Sequence, residues 1–206
     1  MHPVPIVHGM TIGEYGKMIN GEKWISKRCD LTVINMINYK RDMHYNLPVK
    51  PSPNLPNKQS IALYPSLCFF EGTPISAGRG TDMQFQVFGS PTLPESQFQY
   101  RFRPQSNPGA KYPKFENEIC FGRDLRDYKV GDRIELKWLI ESYQSSSGVF
   151  FNSFFTKLAG TEELQHQIES GLSQQEIRAS WSEDIQAFLE LRKPYLIYHE
   201  TKRTSR

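Results

Sequence analysis

A carboxylate, an arginine set between two glycines and an aspartate follow in quick succession: Glu71, Gly78-Arg79-Gly80 and Asp82. Carboxyl groups carry protons to and from reacting atoms, and a guanidinium grips an anion through two parallel hydrogen bonds. Glu71 closes the apolar run Leu67-Cys-Phe-Phe70. At a helix end it faces the negative pole of the helix dipole, and Phe69 and Phe70 strip water from it; both effects favour the neutral acid. A proton held near neutrality is what glycoside hydrolysis asks of its general acid, which makes Glu71 the candidate catalytic residue. The competing reading is an exposed Glu71 paired with Arg79 or a lysine. Gly78 and Gly80 leave the Arg79 guanidinium and the adjacent N–H groups open to a ligand rich in carboxylate and hydroxyl groups. Asp82 then orients Arg79 or accepts from hydroxyls, and Thr81 does so more weakly. Against this stands a plain helix stop and turn with an Arg79–Asp82 surface pair.

Other residues carry weaker signals. His8 ends an expected strand just before a helix, where α/β units often place ligand groups, though a lone histidine there is more often structural. Glu14 has a sufficient role in a capping box. Asn54 and Asn57 offer amides to a ligand or bond their own backbone in turns. Lys111 reads as a solvated lysine. The five histidines are scattered with no pair at metal-ligand spacing, so no metal site and no cofactor are expected. Gly78-Arg-Gly80 is too short for a phosphate-binding loop, and no GxSxG elbow occurs.

The elements that must position these residues are of mixed kind. Residues 4–8 and 31–37 read as strands around a helix opened by the capping box Thr11-Ile-Gly-Glu14, with Ile12, Tyr15, Met18 and Ile19 at helical spacing. From residue 40 to 57, Pro48, Pro51, Pro53 and Pro56 forbid regular structure and stiffen a long loop. A helix is expected over 60–70, kinked or restarted at Pro65, and another over 134–143. Short strands are expected at 75–77, 83–88, 98–103 and 119–121. A second capping box, Ser173-Gln-Gln-Glu176, opens one long helix with Ile177, Trp181, Ile185, Phe188, Leu189 and Arg192 on a stripe; Pro194 stops it before a last strand at 195–198. Strands and helices do not alternate regularly, which predicts an α+β fold with a mixed or largely antiparallel sheet covered by helices.

With 206 residues, 38% hydrophobic and 13% aromatic, the chain can bury a core and is not disordered by composition. A net charge of +3 with interspersed signs gives no nucleic-acid footprint, and the basic tail at 202–206 reads as a frayed end. No apolar run reaches membrane-spanning length, and no charged leader with an apolar core opens the chain. Cys29, Cys68 and Cys120 lack close spacing, and the last two sit in apolar runs as small buried side chains.

The stretch from Tyr64 to Asp82, with His8-Gly-Met-Thr-Ile-Gly-Glu14, Cys29-Asp-Leu-Thr-Val33, Leu47-Pro48 and Pro51-Ser-Pro-Asn-Leu-Pro-Asn57, resembles the YbbC/NamZ-like exo-β-N-acetylmuramidases, formerly a domain of unknown function. Ser180-Trp181 to Phe188 and Arg192-Lys-Pro-Tyr-Leu-Ile-Tyr198 resemble the family's closing helix and last strand. The resemblance implies that residues 1–206 are the C-terminal domain of a two-domain glycosidase, opening at Met1-His-Pro-Val-Pro, whose other half is Rossmann-like and carries the principal catalytic glutamates. It implies release of N-acetylmuramic acid from the non-reducing end of peptidoglycan fragments in cell-wall recycling, with a bacterial parent acting in the periplasm or outside the cell. This half then lines one wall of a cleft, with Glu71 as catalytic candidate and His8, Asn54, Arg79, Thr81 and Asp82 binding sugar. Its partners are that sugar and the family's N-terminal domain, with neither nucleic acid nor membrane span. The sugar's lactyl carboxylate is a natural ligand for Arg79. The alternative is a carbohydrate-binding or structural module without catalysis.

Overall fold

Residues 2–43 and 45–198 are described in a computed structural model of the chain. Met1, His44 and residues 199–206, with His199 and the basic tail, lie outside the described residues. The elements run α1 (Ile12–Gly21), α2 (Lys58–Leu67), a 3-10 turn (Cys68–Gly72), β1 (Val87–Ser90), β2 (Tyr100–Phe102), β3 (Cys120–Asp124), α3 (Lys137–Gln144), α4 (Phe155–Ala159), α5 (Glu163–Glu169), α6 (Gln174–Ser180), α7 (Ser182–Arg192) and a 3-10 turn (Lys193–Tyr195). Helices with a small antiparallel sheet make the chain α+β. It divides into two units, Met1–Asn46 with Ser180–Arg206, and Leu47–Ala179.

In the first unit, α1 starts as its sequence requires. The Thr11 hydroxyl accepts from the Glu14 N–H at 3.4 Å, and the Glu14 carboxylate accepts from the Thr11 N–H at 2.8 Å. The expected strands at 4–8 and 31–37 do not form, because neither segment finds a strand partner. The second is tied by the Tyr198 hydroxyl, which accepts from the Met36 N–H at 2.8 Å. Just before it, Asn20 donates to the Cys29 carbonyl at 2.8 Å and accepts from its N–H at 3.0 Å. Val33 then lies so close to α1 that a Cβ on Gly13 would sit 2.5 Å from its Cγ1. The expected strand at 195–198 is also absent: the N–H groups of Ile197 and Tyr198 donate to Glu14 at 2.8 and 3.2 Å, leaving no donors for a ladder.

The second unit opens with the proline-rich loop, which carries no helix or strand beyond a bridge between Ser52 and Leu55. Asn57 caps α2 reciprocally with Ser60, at 2.9 and 3.2 Å. The helix passes through Pro65 and tightens into the 3-10 turn after Leu67. The sheet has the order β1-β3-β2, with Ser90 opposite Phe121 and Phe102 opposite Cys120. Gly122 lets β1 and β3 close up, since a Cβ there would lie 1.7 Å from the Phe88 carbonyl oxygen. The strand expected at 83–88 begins later: residues 84–86 turn, with Phe85 at φ +52°, before β1 can start. The strand expected at 75–77 shrinks to one bridge between Ser76 and Gly89.

An aromatic core binds this unit. Phe70 stacks on Phe88 at 4.9 Å, Phe88 meets Phe98 and Trp138 at 6.3 Å, and Phe151 meets Phe155 at 4.4 Å. These rings are all buried. The long helix expected after Ser173 breaks at Trp181 into α6 and α7. Ile177 is buried in the second unit, whereas Phe188 and Arg192 are buried in the first, so the two helices serve different cores.

Candidate functional site

The 3-10 turn Cys68–Gly72 follows α2 directly, and its geometry brings Glu71 to the rim of a recess while Phe69 and Phe70 go to the core. A helical end leaves carbonyl oxygens without intrahelical partners. The ammonium of Lys114 collects them: it donates to Phe70 O at 2.9 Å and Thr73 O at 2.6 Å, with Glu71 O and Ile75 O at 3.3 Å. Lys114 thus caps the turn with a cation at its negative pole. Desolvation pulls its amine down to about 8; the charge of Glu71 opposes this and that of Arg79 adds to it. Lys114 was not among the sequence candidates. Its only sequence signal is its place after Pro113 in a loop, and nothing in that loop reveals that distant carbonyls converge on it.

Arg79 donates from Nη1 to Glu71 Oε1 at 2.9 Å. Both partners are partly accessible, with side chains 42% and 25% exposed, so this is a rim pair and not a buried one. Glu71 is therefore an ion-paired carboxylate in this structure, as its competing sequence reading has it. Gly78 and Gly80 serve a different purpose from the one their types suggest. Both have positive φ, +75° and +85°, and both are buried. A Cβ on Gly80 would lie 2.6 Å from Pro113 Cβ, and one on Gly78 would lie 2.7 Å from Val87 Cγ2. The glycines let the loop pack closely on Val87 and Pro113 within the second unit. Thr81 is likewise inward-bonded, donating to Gly78 O at 2.7 Å and accepting from the Met83 N–H at 2.9 Å. Asp82 is exposed, and the partner of Arg79 is Glu71 rather than Asp82.

The recess has a volume of about 280 Å³. Glu71, Arg79 and Lys114 supply its charge, and Tyr112 and Phe154 supply aromatic surface. Asn54, Thr81 and Asp82 belong to the same unit but do not line it. Asn54 donates to Gly109 O at 2.8 Å and so pins the 107–110 turn, whose Ala110 does line the recess. Asn57 is spent on its helix cap and on Gln86, at 3.0 Å. His8 belongs to the first unit. Its Nδ1 accepts from the Met10 N–H at 3.2 Å and its ring stacks on Tyr15 at 5.1 Å. Burial lowers its pKa and the nearby Arg192 charge lowers it further, so His8 is a neutral acceptor. Burial pushes the Cys68 and Cys120 thiols up to about 11 and about 12, which makes neither a nucleophile. Among the described residues no group of histidine, cysteine or carboxylate side chains is placed to hold a metal ion, and no helix is long and apolar enough to cross a membrane.

Residues 62–198, more than half of the chain, match the family model described as exo-β-N-acetylmuramidase NamZ, C-terminal. The chain belongs to the NamZ family. Residues 1–59 match the model for the N-terminal part of the same proteins. Among curated proteins, the peptidoglycan β-N-acetylmuramidase NamZ of Bacillus subtilis (strain 168) is 34% identical over 219 residues, which takes in 96% of this chain and 52% of that protein. The chain thus spans about half the length of its curated NamZ relative. Among solved structures, a DUF1343 family protein of Bacteroides fragilis NCTC 9343 is 45% identical, with a TM-score of 0.90 over 97% of this chain and 58% of its own. A second DUF1343 family protein of that organism, 21% identical, shares the fold with a TM-score of 0.77 over 95% of this chain and 58% of its own. The resemblance drawn from the sequence motifs to the NamZ-like family therefore holds.

Proposed function

We propose that this chain is the C-terminal half of an exo-acting β-N-acetylmuramidase that releases N-acetylmuramic acid from the non-reducing end of peptidoglycan fragments. The observation that carries the proposal is the recess of the second unit, where the Glu71–Arg79 pair and the Lys114 ammonium meet aromatic surface in a chain of the NamZ family. Its polar groups suit the hydroxyls and carboxylate of a sugar acid, and its rings suit the apolar face of a sugar ring.

Hydrolysis of a glycoside takes two positioned carboxyl groups. The recess offers one, Glu71. Glu71 fills either a catalytic place or, held as it is by Arg79, a binding one. The second carboxyl comes from the family's N-terminal domain, expected to be Rossmann-like, and this half supplies one wall of the cleft between the two domains. Within the second unit, Asn54 takes part by shaping the edge of the recess and Thr81 by holding the Arg79 loop, while Asp82 offers an exposed carboxylate outside its lining; His8 belongs to the first unit.

The single carboxylate also favours a second reading, a carbohydrate-binding module without catalysis. One experiment separates the two. The purified 206-residue chain is assayed on a chromogenic N-acetylmuramide, alone and after co-expression with the N-terminal domain of a relative. The chain alone should release nothing, and the pair should turn over the substrate. Release by the chain alone, or none from a correctly assembled pair, overturns the proposal.

A further inference from the structure

We infer that the recess beside Glu71 is a subsite for one acidic sugar, in which the unused edge of Arg79 reads the carboxylate and Tyr112 with Phe154 forms an aromatic rim for the ring. This rests on the proposed function and adds to it the residues that would select muramic acid over a neutral hexosamine.

The charge balance favours an anion. Arg79 and Lys114 bring two cations to the recess against the one carboxylate of Glu71. Lys114 has three donors and gives them to four peptide oxygens, so it contributes charge without a free hydrogen bond. Arg79 has five donors, and among the described residues its one hydrogen bond runs from Nη1 to Glu71. With the side chain 42% exposed, the rest of the guanidinium is available for a second carboxylate in the bidentate geometry that arginine favours.

The rim has the character of a platform. Tyr112 is 92% exposed and Phe154 46% exposed, and neither ring packs on another aromatic ring among the described residues. Two exposed rings beside the charges of the recess give it an apolar face next to a polar one, the surface a sugar ring presents. Phe154 is held in place: its N–H donates to Asn152 Oδ1 at 2.8 Å. Tyr112 and Lys114 flank Pro113, against which Gly80 packs, so Arg79, Lys114 and Tyr112 are set by one tight contact. A volume of about 280 Å³, just below the ~300 Å³ at which ordinary ligand pockets begin, limits the recess to a single small unit such as one sugar. All of these residues lie in the second unit, so the chain itself can be tested for binding.

The test is direct binding to the 206-residue chain, followed by calorimetry or ligand-detected NMR. The probes are N-acetylmuramic acid, N-acetylglucosamine and D-lactate. Without the carboxylate contact, N-acetylglucosamine should bind at least about tenfold to a hundredfold more weakly than N-acetylmuramic acid, the effect of a single charge-assisted hydrogen bond. D-lactate, lacking the ring, should also be weaker. Arg79→Lys and Arg79→Gln should both reduce the preference for the acid, the second more, while Tyr112→Ala should weaken both sugars and leave their ratio. Equal binding of the two sugars by the unaltered chain overturns the role of Arg79, and binding of neither overturns the subsite. A chain that prefers the acid while its assembled pair is inactive keeps the subsite and loses the enzyme reading. An active pair whose chain binds neither sugar does the reverse.

Discussion

Lys114 places an ammonium group among peptide oxygens at the end of a 3-10 turn, and that position makes it sensitive to pH. Its amine lies at about 8 in the folded chain against the ordinary 10.5, chiefly through desolvation. Between those values the unfolded chain holds the proton and the folded one does not, so stability rises with pH across the window. Below pH 8 both states are protonated and the cost of the desolvated charge is fully present. An arginine at 114 stays charged throughout. The unfolding free energy of the native chain should therefore gain on that of Lys114→Arg between about pH 8 and 10.5, measured by urea unfolding at a series of pH values. A constant difference over that range would show that the ammonium is as well solvated by its carbonyls as by water.

Helix α1 depends on one carboxylate for more than its cap. Glu14 is fully buried, accepts from Arg41 at 2.6 Å, and also receives the N–H groups of Thr11, Ile197 and Tyr198. Burial by itself would raise its pKa; the backbone donors and Arg41 outweigh burial and leave it lowered. A depressed carboxyl stabilises the fold above its unfolded value of 4.5 and loses that contribution as pH falls through its folded value. Glu14→Gln keeps the shape but leaves Arg41, whose side chain is 16% exposed, without its counter-charge, a loss of about 1–3 kcal/mol. Denaturation at pH 7 should show that deficit, and the gap between the two proteins should narrow in acid. An unchanged gap would mean that Glu14 acts here through its hydrogen bonds and not its charge.

At the scale of the whole molecule, the two units differ in how well they are filled. The second holds nearly all of the buried apolar side chains, while in the first only Met18 and Phe188 are buried among the described residues. The first unit meanwhile leaves Ile12, Ile34 and Ile37 at 86, 85 and 88% exposure. Burying such side chains contributes about 1.5–3 kcal/mol each. Residues 1–59 match the family's N-terminal model, and we propose that the rest of that N-terminal domain buries these side chains in the complete protein. The chain alone should bind a hydrophobic dye, and co-expression with that domain should quench the signal. Aspartate at Ile34 or Ile37 should weaken the association without unfolding the chain; undisturbed association would exclude those side chains from the contact.

What the sequence by itself determined is local chemistry. Thr11 and Glu14, or Ser173 and Glu176, satisfy each other within one turn, so the helix starts were legible from spacing alone. The prolines of residues 40–57 excluded regular structure there for equally local reasons, and the apolar settings of Cys68 and Cys120 foretold their burial. Motif resemblance identified the family. Tertiary structure decided whatever needed a partner distant in sequence. A strand exists only where another pairs with it, so the β-rich residues 31–37 form no ladder and give the Met36 N–H to the Tyr198 hydroxyl, and 195–198 gave its donors to Glu14. Asp82 stood nearer Arg79 in the chain, yet Glu71 took it as partner, because the 3-10 turn aims that carboxylate at the loop. Lys114, whose ammonium draws together carbonyls from residues 70 to 75, became visible only once the chain was folded, since peptide oxygens leave no mark in a sequence.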